Sequence, residues 1–235
     1  MRINTAMPYR YPGVFNDPEG IVRSGLVAHY RFGQRSGQTL WDYSDLKSHG
    51  TLVSATWTVR GLTFGGAGYV LLTPHVNKFP LGNASLTLVV VCSSTSSAQQ
   101  IPFSYGSGSG SLTTPYIWLN SNNVRFETSG VEFVTIPHVY ANTGPMFLVW
   151  RYNASSLLLD GIVNKFAKYG SITLSGAPDW KNTGAFWGRY VASSNYLIGT
   201  INYGLLYNRP ISNAEVINIY SALRKILAPR GVFLQ

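Results

Sequence analysis

Apolar and polar positions alternate along this chain in short runs, and the period changes only once. Leu26-Val27-Ala28-His29-Tyr30-Arg31-Phe32 alternates and stops at Gly33, which predicts a first strand. Leu40, Leu52, Trp57, Leu62, Phe64, Tyr69, Val70 and Leu72 continue at strand spacing, and Gly65-Gly66-Ala67-Gly68 reads as a hairpin. SLTLVVV, residues 85 to 91, is almost continuously apolar, as a strand in the middle of a sheet would be. Residues 116–119, 124–128 and 131–135 predict a meander. Residues 147–151 and 157–159 predict a hairpin, followed by a tight turn at Asp160-Gly161. Residues 172–174, 185–187 and 196–207 supply the last strands, roughly a dozen in all.

After Arg209-Pro210 the period becomes helical. Ser212 is an N-cap candidate and Glu215 stands three residues later, the spacing of a capping box. Ile211 is placed to staple against Val216, and Val216, Ile219, Tyr220 and Leu223 form one apolar stripe. The expectation is an all-β, two-sheet antiparallel jelly-roll sandwich closed by one short C-terminal helix. Its organisation reads as an irregular N-terminal arm over 1–24, a domain over 25–223 and a basic tail over 224–235.

Composition agrees: 15 Tyr, 11 Phe and 6 Trp favour pleated strands, and 24 Gly with 12 Pro supply turns. Only 11% of residues are charged, so solubility rests on Ser, Thr, Asn and Gln or on cover by partners. The net charge of +9 favours acidic partners, but the bases are scattered and do not form a footprint for sequence-specific nucleic-acid binding. Cys92 is the only cysteine, which excludes an intrachain disulfide and a thiolate cluster, and its apolar setting predicts burial. MRINTAMPYRYPG lacks the apolar core of a signal peptide and no apolar run is long enough to span a membrane, so the expectation is a protein made in a cytoplasm.

GLVAHYRF, LWDYSDLKSHGTL, GLTFGGAGYVLL, SLTLVVV, FLVWRYNASSLLLDGIVN and IGTINYGLLYNRPISNAEVINIYSAL occur in order over residues 25 to 223. In that order they resemble the laminin-G-like, concanavalin A-like lectin jelly rolls, of the kind found in tailed-phage virion proteins. Asp160-Gly161 resembles the family's hairpin turn, and Asn208 to Ser212 with Glu215 its closing motif. The resemblance implies a non-enzymatic virion structural protein, such as a bacteriophage capsid decoration or head/tail-associated protein. Its partners would be virion proteins such as a major capsid protein, and further copies of itself in an oligomer. Tyr9, Tyr11 and Phe15 from one arm, with Arg224, Lys225, Arg230 and Phe233 from the other, are the candidate partner-binding residues. The alternative is carbohydrate binding to a surface polysaccharide.

For sugars, Trp180, Tyr190 and Tyr196 lie in loops rich in Asn and Ser and are the candidate stacking platform; they can equally serve as subunit contacts. Trp41, Trp57, Trp118, Trp150 and Trp187 sit in strand patterns and are read as core. A glycan hydrolase needs two facing carboxylates, and Asp160 and Glu215 already have folding roles, while Glu127 and Glu132 read as surface neighbours across a turn. No cofactor is expected. The resemblance admits calcium, with Asp42 and Asp45 as the candidate ligands, although Asp42 with Ser44 also reads as an Asx turn. The four histidines, His29, His49, His75 and His138, have no metal-ligand spacing.

Overall fold

The computed structural model describes residues 20–72, 78–106, 113–120, 122–128, 132–138, 143–181, 184–191 and 195–234. The candidate arm residues Tyr9, Tyr11 and Phe15 lie outside them.

The described chain is antiparallel β structure closed by a helix. The strands are β1 (Leu26–Tyr30), β2 (Thr39–Leu40), β3 (Gly50–Trp57), β4 (Leu62–Leu71), β5 (Leu86–Ser94), β6 (Gln100–Tyr105) and β7 (Pro115–Asn120). They continue as β8 (Asn123–Thr128), β9 (Glu132–Pro137), β10 (Met146–Asn153), β11 (Leu158–Val163), β12 (Lys168–Thr173), β13 (Ala185–Trp187) and β14 (Ile198–Tyr207), followed by α1 (Asn213–Leu227). The sheet order is β12-β11-β10-β5-β14-β4-β13-β6-β7-β8-β9, with β1 paired to β14 and β3 to β4. As expected from its apolar run, β5 sits mid-sheet between β10 and β14.

The sheet folds over on itself to make a sandwich. A side chain in place of Gly161 on β11 would run into the ring of Phe126 on β8, so glycine is required at this contact between the two layers. The interior is one cluster that includes Phe64, Val90, Phe103, Phe126, Trp150, Tyr152 and Trp187. A second cluster lies outside one half of the sheet. There Val89, Val91, Phe147, Val149, Tyr203 and Leu205 meet Val216, Ile219, Tyr220 and Leu223 of α1, with Ile21, Val22, Val232 and Leu234.

The capping box forms as expected: Ser212 Oγ accepts from the Glu215 amide and the Glu215 carboxylate accepts from the Ser212 amide. Arg209 adds a two-pronged ion pair to Glu215, at 2.5 and 2.9 Å.

Four expectations need correction. Asp160-Gly161 lies inside β11, opposite Arg151 and Trp150, and not in a turn; the Arg151–Asp160 pair at 2.6 Å and the close fit to Phe126 hold that register against the local turn signal. Gly65 to Gly68 does not form a hairpin but bends one continuous strand, β4, where Gly66 takes φ +88°. The helix runs on to Leu227, and Val232 and Leu234 are buried beyond it, so the C-terminal segment packs on its own domain. Within that segment Arg230 is turned inward and donates to the carbonyl oxygens of Arg31, Phe32, Arg60 and Asn202. Arg224 and Lys225 remain exposed, and Phe233 is 69% exposed.

Candidate functional site

Helix α1 and its flanking segments cover the outer face of only half the sheet. Among the described residues, the outer face of β4, β13, β6, β7, β8 and β9 has no such layer, and the alternation of each strand decides what stands there. Ile117 and Leu119 of β7 point into the interior cluster, as do Val124 and Phe126 of β8 and Val134 and Ile136 of β9. Tyr116, Trp118, Arg125, Glu127 and Phe133 therefore stand outside. Strand pairing aligns Leu71, Phe186, Ser104, Tyr116, Glu127 and Phe133 in one row across six strands. At an inter-strand spacing of about 4.8 Å that row is roughly 24 Å long.

The small side chain in the row, Ser104, is where a returning segment lies across the face. Ser104 Oγ donates to the Arg189 carbonyl at 2.8 Å, and Arg189 pairs with Tyr196 in an isolated bridge, with the Tyr190 amide donating to Asn195. Tyr190 thereby packs against Tyr116 with ring centroids 4.9 Å apart, and Tyr196 lies 6.3 Å from Tyr69. The Arg189 guanidinium carbon lies 4.8 Å from the Tyr69 ring, 4.9 Å from Phe186 and 5.8 Å from Tyr196. Further along, Arg125 stacks on Phe133 at 3.7 Å and lies 5.3 Å from Trp118. The result is a continuous strip in which aromatic rings alternate with guanidinium groups.

At the middle of the strip Glu127 is fully buried. Its Oε1 lies 2.7 Å from Arg125 Nε, and its Oε2 accepts from the Tyr116 hydroxyl. Burial raises the carboxyl above its ordinary value, opposed by the Tyr116 hydrogen bond and by Arg125. Burial likewise raises the Tyr190 phenol, with Glu127 adding to the effect. The buried carboxylate thus fixes Arg125 and Tyr116. The expectation that Glu127 and Glu132 are surface neighbours across a turn is corrected: Glu127 faces Phe133 across the pair, and Glu132 accepts from the Ser175 amide.

Of the three expected platform residues, Tyr190 and Tyr196 come together on this face and Trp180 does not. Trp180 is 1% exposed, its ring lies against Trp150 and Tyr152, and its indole donates to the Ala84 carbonyl. A backbone bridge to Gly82 draws its loop into the sandwich. Trp41 moves the other way. Expected in the core, it is 49% exposed and stands edge-on to His49. Sequence reading missed Arg189, Arg125, Tyr69, Phe186 and Tyr116, because alternation does not say which face of a strand will be left uncovered.

The candidate calcium ligands do not fit the ion. Asp42 Oδ1 accepts from the His29 and Ser44 amides and Oδ2 from the Ser44 hydroxyl and the Ser48 amide, all at 2.7 to 2.8 Å, so its lone pairs face donors. This is the Asx arrangement that Asp42 and Ser44 predict. Asp45 is exposed, and among the described residues no cluster of three His, Cys, Asp or Glu side chains is placed to hold a metal.

No family model matches the sequence, and no curated protein sequence matches it. Solved structures do. A Trypanosoma rangeli sialidase in complex with sialic acid matches with TM-score 0.65 at 15% identity over 86% of this chain and 33% of that one. The botulinum neurotoxin serotype D binding domain matches with TM-score 0.59 at 10% identity over 84% and 51%. The receptor binding domain of the mosaic serotype C/D neurotoxin matches with TM-score 0.61 at 11% identity over 84% and 50%. The fold these share is an antiparallel β-sandwich. The chain spans between a third and about half of these structures, and the likeness is one of fold.

Proposed function

We propose that this chain is a non-enzymatic, lectin-like module that binds a surface polysaccharide along the outer face of β4, β13, β6, β7, β8 and β9. The observation that carries the reading is that Trp118, Arg125, Arg189, Tyr190 and Tyr196 stay partly exposed and Phe133 exposed on that face, above the buried Tyr116, Glu127 and Phe186, while the equivalent face of the other half is sealed by α1. Sugars present C–H faces that stack on aromatic rings and hydroxyls that accept from guanidinium donors, and a strip about 24 Å long suits an extended chain of them. A sialidase in complex with sialic acid and a toxin receptor binding domain share the fold, which supports the reading. Glu127 serves as a strut for Arg125 and Tyr116.

A panel of immobilised polysaccharides tests the reading: the wild-type chain is expected to retain a subset, and Trp118→Ala with Tyr190→Ala to lose it while melting as a folded protein. Retention of none, or retention unchanged in the double variant, counts against it. A structural role in a virion, against a major capsid protein or in a homo-oligomer, is the second reading. It draws on the exposed Phe233, Arg224 and Lys225 of the C-terminal segment. Absence of the chain from purified virions removes it.

A further inference from the structure

We propose that Arg189 is an anion receptor and that the glycan held on this face carries a carboxylate or sulfate group; the proposal rests on the polysaccharide-binding reading above. Arg189 Nε donates to the Tyr190 carbonyl at 3.3 Å, and the rings of Tyr69, Phe186 and Tyr196 surround the guanidinium. These contacts fix the plane of the group and use one of its three nitrogens. Among the described residues, neither terminal nitrogen has a hydrogen-bond or ion-pair partner. Arg125, Arg151 and Arg209 differ, each holding a carboxylate of its own, on Glu127, Asp160 and Glu215.

Rings on several sides strip part of the water from the Arg189 cation, which raises the gain from a two-pronged bond to an anion. A neutral hydroxyl accepts a hydrogen bond there but gains little from the charge. The carboxylate closest along the strip, Glu127, is buried and committed to Arg125 and Tyr116, so it does not compete. The chain's net charge of +9 draws polyanions toward the protein. Carboxylate and sulfate both match the planar fork of a guanidinium, and a lysine does not reproduce it.

The test is isothermal titration with two matched pairs of polymers: polygalacturonate against its methyl ester, and dextran sulfate against dextran. Salt is kept near about 0.15 M, so that distant surface charge is screened. Arg189→Gln and Arg189→Lys are compared with wild type and with Arg60→Gln, which removes the same charge from an exposed arginine outside the strip. Wild type is expected to prefer the acidic member of at least one pair by about tenfold or more. Arg189→Gln abolishes that preference, Arg189→Lys reduces it, and Arg60→Gln keeps it. The pair that shows the preference identifies the anionic group. If Arg189→Gln does not fold, the comparison with Arg189→Lys carries the test. Equal binding within both pairs overturns the anion assignment and leaves the polysaccharide reading intact. A preference that survives both Arg189 substitutions, or that Arg60→Gln reduces equally, also overturns it. Binding to none of the four polymers overturns the proposal, and failure on the wider polysaccharide panel as well overturns the reading beneath it.

Discussion

Arg230 donates through Nη2 to the carbonyl oxygen of Phe32 at 2.9 Å, joining residues 198 positions apart. With the bonds to Arg31, Asn202 and Arg60, this one side chain ties the C-terminal segment to the loop after β1, to β14 and to the β3–β4 turn. Arg230→Met is expected to lower stability by about 2 to 3 kcal/mol, since charge-assisted bonds are lost and their acceptors are left behind. Phe233→Ser, in the same segment but exposed, should change it by less than about 0.5 kcal/mol. Urea midpoints at unchanged m-value check both.

The cap of α1 gives a prediction in pH. The Arg209 hydrogen bond, backed by the Ser212 amide and hydroxyl, lowers the Glu215 carboxyl to about 2. Because the folded value lies below the unfolded one, the stabilisation is complete above about pH 4.3 and is lost as pH falls from there toward 2. Glu215→Gln should flatten thermal stability across that window. Ser212→Ala should cost about 1 kcal/mol at neutral pH.

A second acid-sensitive group sits on β1. His29 is fully buried and shares a 2.5 Å hydrogen bond with the Tyr203 hydroxyl. Burial, aided by Arg31, Arg23 and Lys47, lowers its pKa well below the ordinary value. The folded protein therefore holds His29 neutral, and stability is complete above about pH 6.5 and falls as the unfolded chain begins to bind the proton below it. His29→Gln should reduce the decline between about pH 6.5 and 5, leaving the part due to His138, whose pKa burial and Lys168 also lower, and leaving the Glu215 step in place. Melting curves taken across both windows separate the two.

Where the layers meet, Gly161→Ala places a methyl group against Phe126. Overpacking of this kind is expected to cost about 1 to 3 kcal/mol, and Phe126→Leu should recover part of the loss in the double variant. Additive losses in chemical denaturation would contradict the contact.

Local signals were readable wherever the neighbouring sequence decides the outcome. Ser212 and Glu215 form the capping box their spacing predicts, and the apolar run at β5 takes the middle of the sheet. Asp160-Gly161 was misread because a turn dipeptide is a local preference, whereas its register is set by Arg151 on β10 and by Phe126 across the sandwich. Trp180 and Trp41 exchange their expected places for a related reason. A bridge to Gly82 draws Trp180 inward, and nothing in its own stretch encodes that pairing. The candidate face was half readable: Tyr190 and Tyr196 stood out as loop aromatics, but Arg189 acquires its meaning only when Tyr69, more than a hundred residues earlier, is brought beneath it.

The central claim is that ligand lies on the outer face of β4, β13, β6, β7, β8 and β9, and the indole N–H resonances of the six tryptophans test it most directly. Trp118 stands in the strip, Trp150, Trp180 and Trp187 are buried in the interior, and Trp57 donates to the Gly37 carbonyl, away from the strip. Titrating the polysaccharide retained in the panel into nitrogen-15-labelled protein should shift the Trp118 resonance in proportion to saturation, with those of Trp41 and Trp57 unmoved. A saturable shift at Trp41 or Trp57 with Trp118 unmoved would contradict the account.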